Sequence, residues 1–271
     1  MSKHPVGIFD SGIGGLSVLK EIQTILPYED VVYVADSTYA PYGNKSHKFI
    51  LQRCEQLTQF LIEQHARAIV IACNTATAVA VSYLRQKFEI PIIAMEPGVK
   101  PAIAATHSGV VGVLATENTL ASEQFTKLVH RFAENVEVIC QPCPGLVEQI
   151  ETGKYDDAMT YQLIEKYTQP LLSAGTDTIV LGCTHYPLIR EQIKQVVGDK
   201  IHIIETGSAV ALQLERVLQN DVDPQDHHSC GTITAWSSGE TAHLKETLLN
   251  LSGRQIDVSP LRLPDTLIKQ E

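Results

Sequence analysis

Two cysteines stand where a strand would open into a turn. Cys73 lies in "ACNTATA" and Cys183 in "LGCTHYPLI", each closing an apolar run and each followed by two polar residues. Taken singly, a buried cysteine packs like a small hydrophobe and implies no chemistry. A matched pair is different. A thiol has a reference pKa of about 8.5, so a few per cent is thiolate at neutral pH and small environmental changes alter that fraction greatly. One thiolate can remove a proton from a carbon while the other thiol delivers a proton to the opposite face. In each direction one thiol is charged and the other protonated, so each needs a neighbour that sets its state. Asp10 in "FDSGIGG" is the candidate for Cys73, and His185, two residues on, for Cys183.

The same turns are rich in hydroxyls, amides and glycines. Ser11, Tyr42, Gly43, Asn74, Thr75, Thr116, Thr119 and Thr184 are the candidate substrate-binding residues, together with Asp10 and His185. These motifs contain no arginine, so a two-pronged carboxylate clamp is not expected. Hydroxyls and backbone N–H groups at strand-to-helix turns hold anions instead. For Ser11 and Thr119 the competing use is a helix N-cap. "CQPC" (140–143) and "HHSC" (227–230) offer sulfur and nitrogen ligands, but nothing in the spacing brings the two pairs together as a closed zinc site requires. "DSGIGG" has the glycines of a phosphate turn without the lysine or spacing of a P-loop. No metal and no cofactor is therefore expected. Cys183 with His185 alone would suit a thiol hydrolase, which leaves Cys73 without a task. Two halves closing on an amino acid would suit a binding protein, which needs no paired thiols.

Positioning these residues falls to the elements before them. Strands are expected in "VGIFD" (6–10), "VVYVAD" (31–36), "AIVIAC" (68–73), "IPIIAM" (90–95), "VVGVLA" (110–115), "VEVIC" (136–140), "TIVLGC" (178–183) and "IHIIE" (201–205). Helical spacing of apolar residues marks 15–26, 48–65, 123–133 and 160–175, with Cys54 in the core of the second. Apolar strands alternating with helices predict an α/β fold with parallel sheets. Three blocks also recur in order. "VGIFDSG" falls over "VGVLATE" and "VVYVADS" over "VEVICQP", both 105 residues apart, and "AIVIACNT" falls over "TIVLGCTH" 110 apart. The expectation is two similar domains, each a mainly parallel sheet flanked by helices, with the active site in the cleft between them. Residues 1–97 plus 208–271 form the first, discontinuous domain and 98–207 the second, because the helical pattern "AVALQLERVL" (209–218) has no counterpart in the second repeat. The polar run "QNDVDPQDHHSCG" (219–231) reads as an exposed loop.

Composition narrows the partners. The chain has 271 residues, enough for two cores, and a net charge of −10 without blocks of like charge. That speaks against nucleic acid and anionic membrane as partners. No apolar stretch reaches transmembrane length. The start "MSKHPVGIFDSGIGG" lacks a signal-peptide hydrophobic region, so a cytoplasmic protein with six reduced cysteines is expected.

In order, "FDSGIGG" (9–15), "ADSTYAPYG" (35–43), "ACNTATA" (72–78), "GVLATENT" (112–119) and "LGCTHYPLI" (181–189) resemble the motifs of the bacterial glutamate racemases, over essentially the whole chain. The resemblance implies a cofactor-independent, two-base racemase that interconverts L- and D-glutamate and supplies D-glutamate for peptidoglycan. It makes Cys73 the base toward D-glutamate and Cys183 the base toward L-glutamate, with Asp10, Asp36 and His185 assisting. A further family carboxylate lies in an E-x-G motif after Cys-Pro. Here "CPGLVEQIETG" offers Glu148 and Glu151, and Glu151 has the glycine two residues on. Aspartate and hydantoin racemases resemble this pattern too, so another small amino acid is the alternative substrate. The partner implied is a small molecule, glutamate, and a homodimer is compatible with it.

Overall fold

Runs that are apolar on both faces become strands that are covered on both faces. In the computed structural model, which describes residues 4–218 and 230–264, these are β1 (Val6–Asp10), β2 (Val31–Ala35), β3 (Ala68–Ile71), β4 (Ile92–Ala94), β5 (Val110–Ala115), β6 (Glu137–Pro142), β7 (Thr178–Leu181), β8 (His202–Ile204), β9 (Ile233–Ser237) and β10 (Val258–Pro260). β1, β2, β3 and β7 are buried along their whole length. Between them run α1 (Leu16–Ile25), α2 (His47–Glu63), α3 (Asn74–Lys87), α4 (Val99–Ala105), α5 (Glu117–Leu120), α6 (Glu123–Phe132), α7 (Leu146–Glu151), α8 (Ala158–Ser173), α9 (Arg190–Val197), α10 (Gly207–Leu218) and α11 (Thr241–Ser252).

The strands form two wholly parallel sheets. One has the order β10-β9-β2-β1-β3-β4 and the other β6-β5-β7-β8. The order 2-1-3-4 thus occurs twice, and the three repeated sequence blocks occupy equivalent strands. In each sheet the chain direction of travel reverses beside the first strand, between β1 and β3 and again between β5 and β7. Such switch points open a crevice beyond the carboxyl ends of the strands. Asp10 and Cys73 lie at one, Thr116 and Cys183 at the other.

Several strand ends differ from the sequence expectation. β3 stops at Ile71 and β7 at Leu181, before either cysteine. Cys73 is released from pairing because it is the N-cap of α3. Gly182 follows β7 because a Cβ there would lie 2.9 Å from the Leu114 carbonyl. β9 and β10 were not expected. Both are short and lie toward the edge of the first sheet, where half-exposed residues blur the apolar pattern. α10 follows the second sheet in sequence, yet its Val210, Ala211, Leu214 and Leu218 pack with Leu16, Val18, Leu19 and Ile22 of α1. Burying each large side chain is worth about 1.5–3 kcal/mol, which ties the helix to the first sheet. Most of the loop expected at 219–231 lies outside the described residues. Among the described residues no helix is long and apolar enough to cross a membrane.

Candidate active site

Three strand ends converge on one buried cluster. Asp10, the last residue of β1, accepts the Gly12 N–H on Oδ1 at 2.7 Å and the Thr184 hydroxyl on Oδ2 at 3.1 Å. Thr184 belongs to the turn after β7, so this carboxylate joins the two sheets. Burial raises the Asp10 pKa to about 6, against the opposing pull of His185.

Cys73 and Cys183 are 4% and 6% exposed, shielded but not sealed. Cys73 Sγ accepts the Ala76 N–H at 3.4 Å and lies 3.8 Å from Ser11 Oγ. Burial pushes this thiol up, and the charge of Asp10 pushes it further. The Ala76 N–H opposes both, and a charge on Cys183 also raises it. Cys183 Sγ lies 3.9 Å from His185 Nδ1, and His185 Nε2 lies 2.5 Å from Glu151 Oε1. Glu151 Oε1 also accepts the Ile13 N–H at 2.9 Å. Burial pulls the imidazole down, but its hydrogen bonds to Cys183 and Glu151 win and raise it well above the usual range. Burial likewise lifts Glu151, and the bond from His185 outweighs that to leave it below the usual carboxylate range. Glu148, the other carboxylate of this helix, is exposed.

The glycine turn after β1 has a steric origin. A Cβ on Gly14 would collide with His185 Nδ1 and stand 2.7 Å from Thr184 Oγ1, and one on Gly12 would collide with Glu151 Oε1. The turn is bare so that the second half can approach it. Tyr33 then anchors it by donating its hydroxyl to the Gly12 carbonyl at 3.0 Å.

A second group is built from hydroxyls. Thr75 of α3 lies 2.9 Å from Thr116 and 3.3 Å from Thr119, which are themselves 2.9 Å apart. Thr116, rather than Thr119, caps α5, and Ser11 caps no helix among those described. Gly43 packs on Thr116, where a Cβ would lie 2.9 Å from Thr116 Cβ. Asn118 donates its side-chain N–H groups to the carbonyls of Tyr42 and Lys45 at 3.1 and 3.0 Å. Asn74 is buried with neither amide atom partnered among the described residues.

Asp36 sits apart from the thiols in its bonding. Its carboxylate holds Arg53 and Tyr42, and none of its hydrogen bonds goes to a cysteine. Tyr42 nevertheless packs in the same buried cluster as Cys73. The sequence reading passed over Arg53, Tyr33, Asn118 and the Ile13 N–H. Arg53 had a signal: it interrupts the apolar face Phe49, Ile50, Cys54, Leu57 of α2, and a charge there needs a partner. Among the described residues no group of three His, Cys, Asp or Glu side chains is placed to hold a metal. Cys140, Cys143 and Cys230 are free thiols, while His227 and His228 lie outside the described residues.

A family model described as Asp/Glu/Hydantoin racemase matches residues 9–214. The chain belongs to that racemase family. It is an isomerase, an amino-acid racemase. A glutamate racemase of Methylococcus capsulatus is 52% identical over 238 residues, covering 88% of this chain and 88% of that one. One of Ectopseudomonas mendocina is 50% identical over 263 residues, covering 95% and 98%. Among solved structures, a glutamate racemase from Bacillus anthracis matches with a TM-score of 0.85 at 31% identity, covering 97% of this chain and 99% of the other. Escherichia coli glutamate racemase, in complex with L-glutamate and the activator UDP-MurNAc-Ala, matches with a TM-score of 0.84 at 31% identity, covering 97% and 100%. In this racemase the Asp10–Thr184 hydrogen bond joins the turn carrying Ser11 to the turn carrying Cys183 and His185, and His185 meets Glu151.

Proposed function

We propose that this racemase interconverts L- and D-glutamate through two thiols and no cofactor, and supplies D-glutamate for peptidoglycan in the cytoplasm. Residues 1–97 with 208–271 would form one domain and 98–207 the other, closing on the substrate between them. The observation that carries the reading is the placement of Cys73 and Cys183 at equivalent switch points of two similarly ordered sheets, each beside a different proton-handling group. Relatives at about half identity named glutamate racemase, and a related structure holding L-glutamate, support the substrate.

On this reading Cys73, as thiolate, removes the α-proton of D-glutamate while Cys183 protonates the opposite face, and the roles exchange for L-glutamate. Asp10 takes up or returns the proton on the Cys73 side. His185, whose bond to Glu151 favours the imidazolium, stabilises the Cys183 thiolate and can donate a proton to it, taking that proton back when Cys183 ionises again. The buried amide of Asn74 and the hydroxyls of Thr75, Thr116, Thr119 and Thr184 receive the substrate carboxylates, while Ser11, Tyr42 and Gly43 line the wall of the cleft. Polarimetry on purified protein, dialysed against chelator and free of pyridoxal absorbance, should show racemisation of D- and L-glutamate and little change with aspartate or alanine. Faster turnover of aspartate, or activity restored only by an added cofactor, would refute it.

The Asp10 pKa sets the pH dependence. If its carboxylate must be ionised to accept the Cys73 proton, activity should rise with pH through about 6. Stability runs the other way. A folded pKa raised above the ordinary 3.8 means the native state binds that proton more tightly, so this contribution is full below pH 3.8 and is lost as pH climbs through about 6. The loss is on the order of 3 kcal/mol. Asp10→Asn should remove both the acid limb and this decline, measured by pH–rate profiles and thermal melts. An acid limb that survived the substitution would assign it to another group.

A further inference from the structure

Arg53 comes from α2, outside every motif of the cleft, yet its hydrogen bonds lead into it. Its side chain is 8% exposed and lies on the apolar face of its helix. Nε–H donates to Asp36 Oδ2 at 2.9 Å and Nη2–H to Asp36 Oδ1 at 2.7 Å, a two-pronged pair. Nη1–H donates to Gln56 Oε1 at 2.9 Å, and the guanidinium stacks 4.5 Å from the centre of the Tyr39 ring. Asp36 is fully buried, and its Oδ2 also accepts the Tyr42 hydroxyl at 2.5 Å. Tyr42 opens the short turn Tyr42–Asn44, whose Gly43 rests on Thr116 and whose Tyr42 carbonyl accepts from Asn118 of α5, the helix after β5 of the other sheet.

Resting on the reading of this cleft as the glutamate site, we propose that Arg53 is a positioning residue: through Asp36 it orients Tyr42 and seats the Tyr42–Asn44 turn against Thr116 and Asn118, forming that wall of the cleft before substrate arrives. Asp36 is then an acceptor shared by Arg53 and Tyr42, and passes no proton in the reaction. The physical reason is coordination. The planar fork of a guanidinium fixes a carboxylate in rotation as well as position, and the third donor, Tyr42, inherits that orientation. A lysine would supply the charge without the fork.

The test compares Arg53→Gln, Asp36→Asn, Tyr42→Phe and the Arg53→Gln/Asp36→Asn double variant. KM for D- and L-glutamate should rise together, about ten- to hundredfold, with kcat falling less and the acid limb near pH 6 unmoved. The double variant should be no worse than the poorer single one, because both act on one unit. Amide hydrogen exchange across residues 36–45 should quicken about tenfold in Arg53→Gln and Tyr42→Phe relative to wild type. Tyr42→Phe keeps the ring and its packing, so it decides the matter if Arg53→Gln fails to fold. A loss of α-deuterium exchange confined to one enantiomer in Asp36→Asn, or a displaced acid limb, would make Asp36 a proton carrier and overturn the proposal. Unchanged KM and unchanged exchange in Tyr42→Phe would overturn it too. A wild-type protein that does not racemise glutamate would refute the proposed substrate instead, and the exchange measurement would still decide the role of Arg53.

Discussion

Cys73→Ala and Cys183→Ala should each abolish racemisation, lowering it by about 10³-fold or more, and each should leave a different half-reaction. Cys73 is held at the N-terminus of α3 beside Ser11, and Cys183 beside His185 from the facing sheet. On the proposed mechanism the two thiols face opposite sides of the substrate carbon, so each would serve one enantiomer. With either removed, the second proton has no donor. The remaining thiol can still abstract its own α-proton, exchange with solvent and return a deuteron. In deuterated water Cys73→Ala should therefore carry deuterium into L-glutamate and spare D-glutamate, and Cys183→Ala should do the reverse. Proton NMR of the α-position follows both. Equal exchange of the two enantiomers in either variant would show one base serving both faces and end the two-thiol reading.

The second large effect should come from a single methyl group. Gly14→Ala places a Cβ against His185 Nδ1 and near Thr184 Oγ1, with no flexible chain end to yield. Either the imidazole leaves Cys183 or the two halves stand further apart. Displacing a catalytic group by about 1 Å can cost about 100-fold, so a fall in kcat/KM of that order is expected. Exchange of L-glutamate, which depends on the Cys183 side, should suffer more than exchange of D-glutamate. The backbone at Gly14 does not have a positive φ, so alanine is tolerated by the turn itself, and a lowered melting temperature would come from the overlap with buried His185 and Thr184, at a cost of about 1–3 kcal/mol. Full activity in Gly14→Ala would show that His185 is not held against this turn during turnover.

Much of the site was legible in the chain because it follows strand ends. Apolar runs closing on Asp10, Cys73 and Cys183 mark places where a parallel sheet must open, and the repeated blocks predict the same strand order twice, as the sheets have it. Family-specific motifs carried the choice of chemistry. Contacts between residues far apart in sequence were not legible, since neither periodicity nor composition records them. Glu151 lies 138 residues from the Ile13 N–H it accepts, and the choice between Glu151 and Glu148 depends on which side of α7 meets His185. The glycines of "DSGIGG" read as an anion turn, and only the packing of the two sheets shows that His185 and Glu151 occupy the space a Cβ would need. Asp36 entered as an assisting residue only through the family resemblance, which says nothing of its partners. Its hydrogen bonds go to Tyr42 and to Arg53, a buried charge on α2 whose desolvation is offset chiefly by this carboxylate. A sequence orders residues along strands and helices and so determines which groups emerge together at a sheet's end. Which of them then touch is decided when two sheets pack, because burial leaves each polar atom only the partners that geometry puts within hydrogen-bond distance.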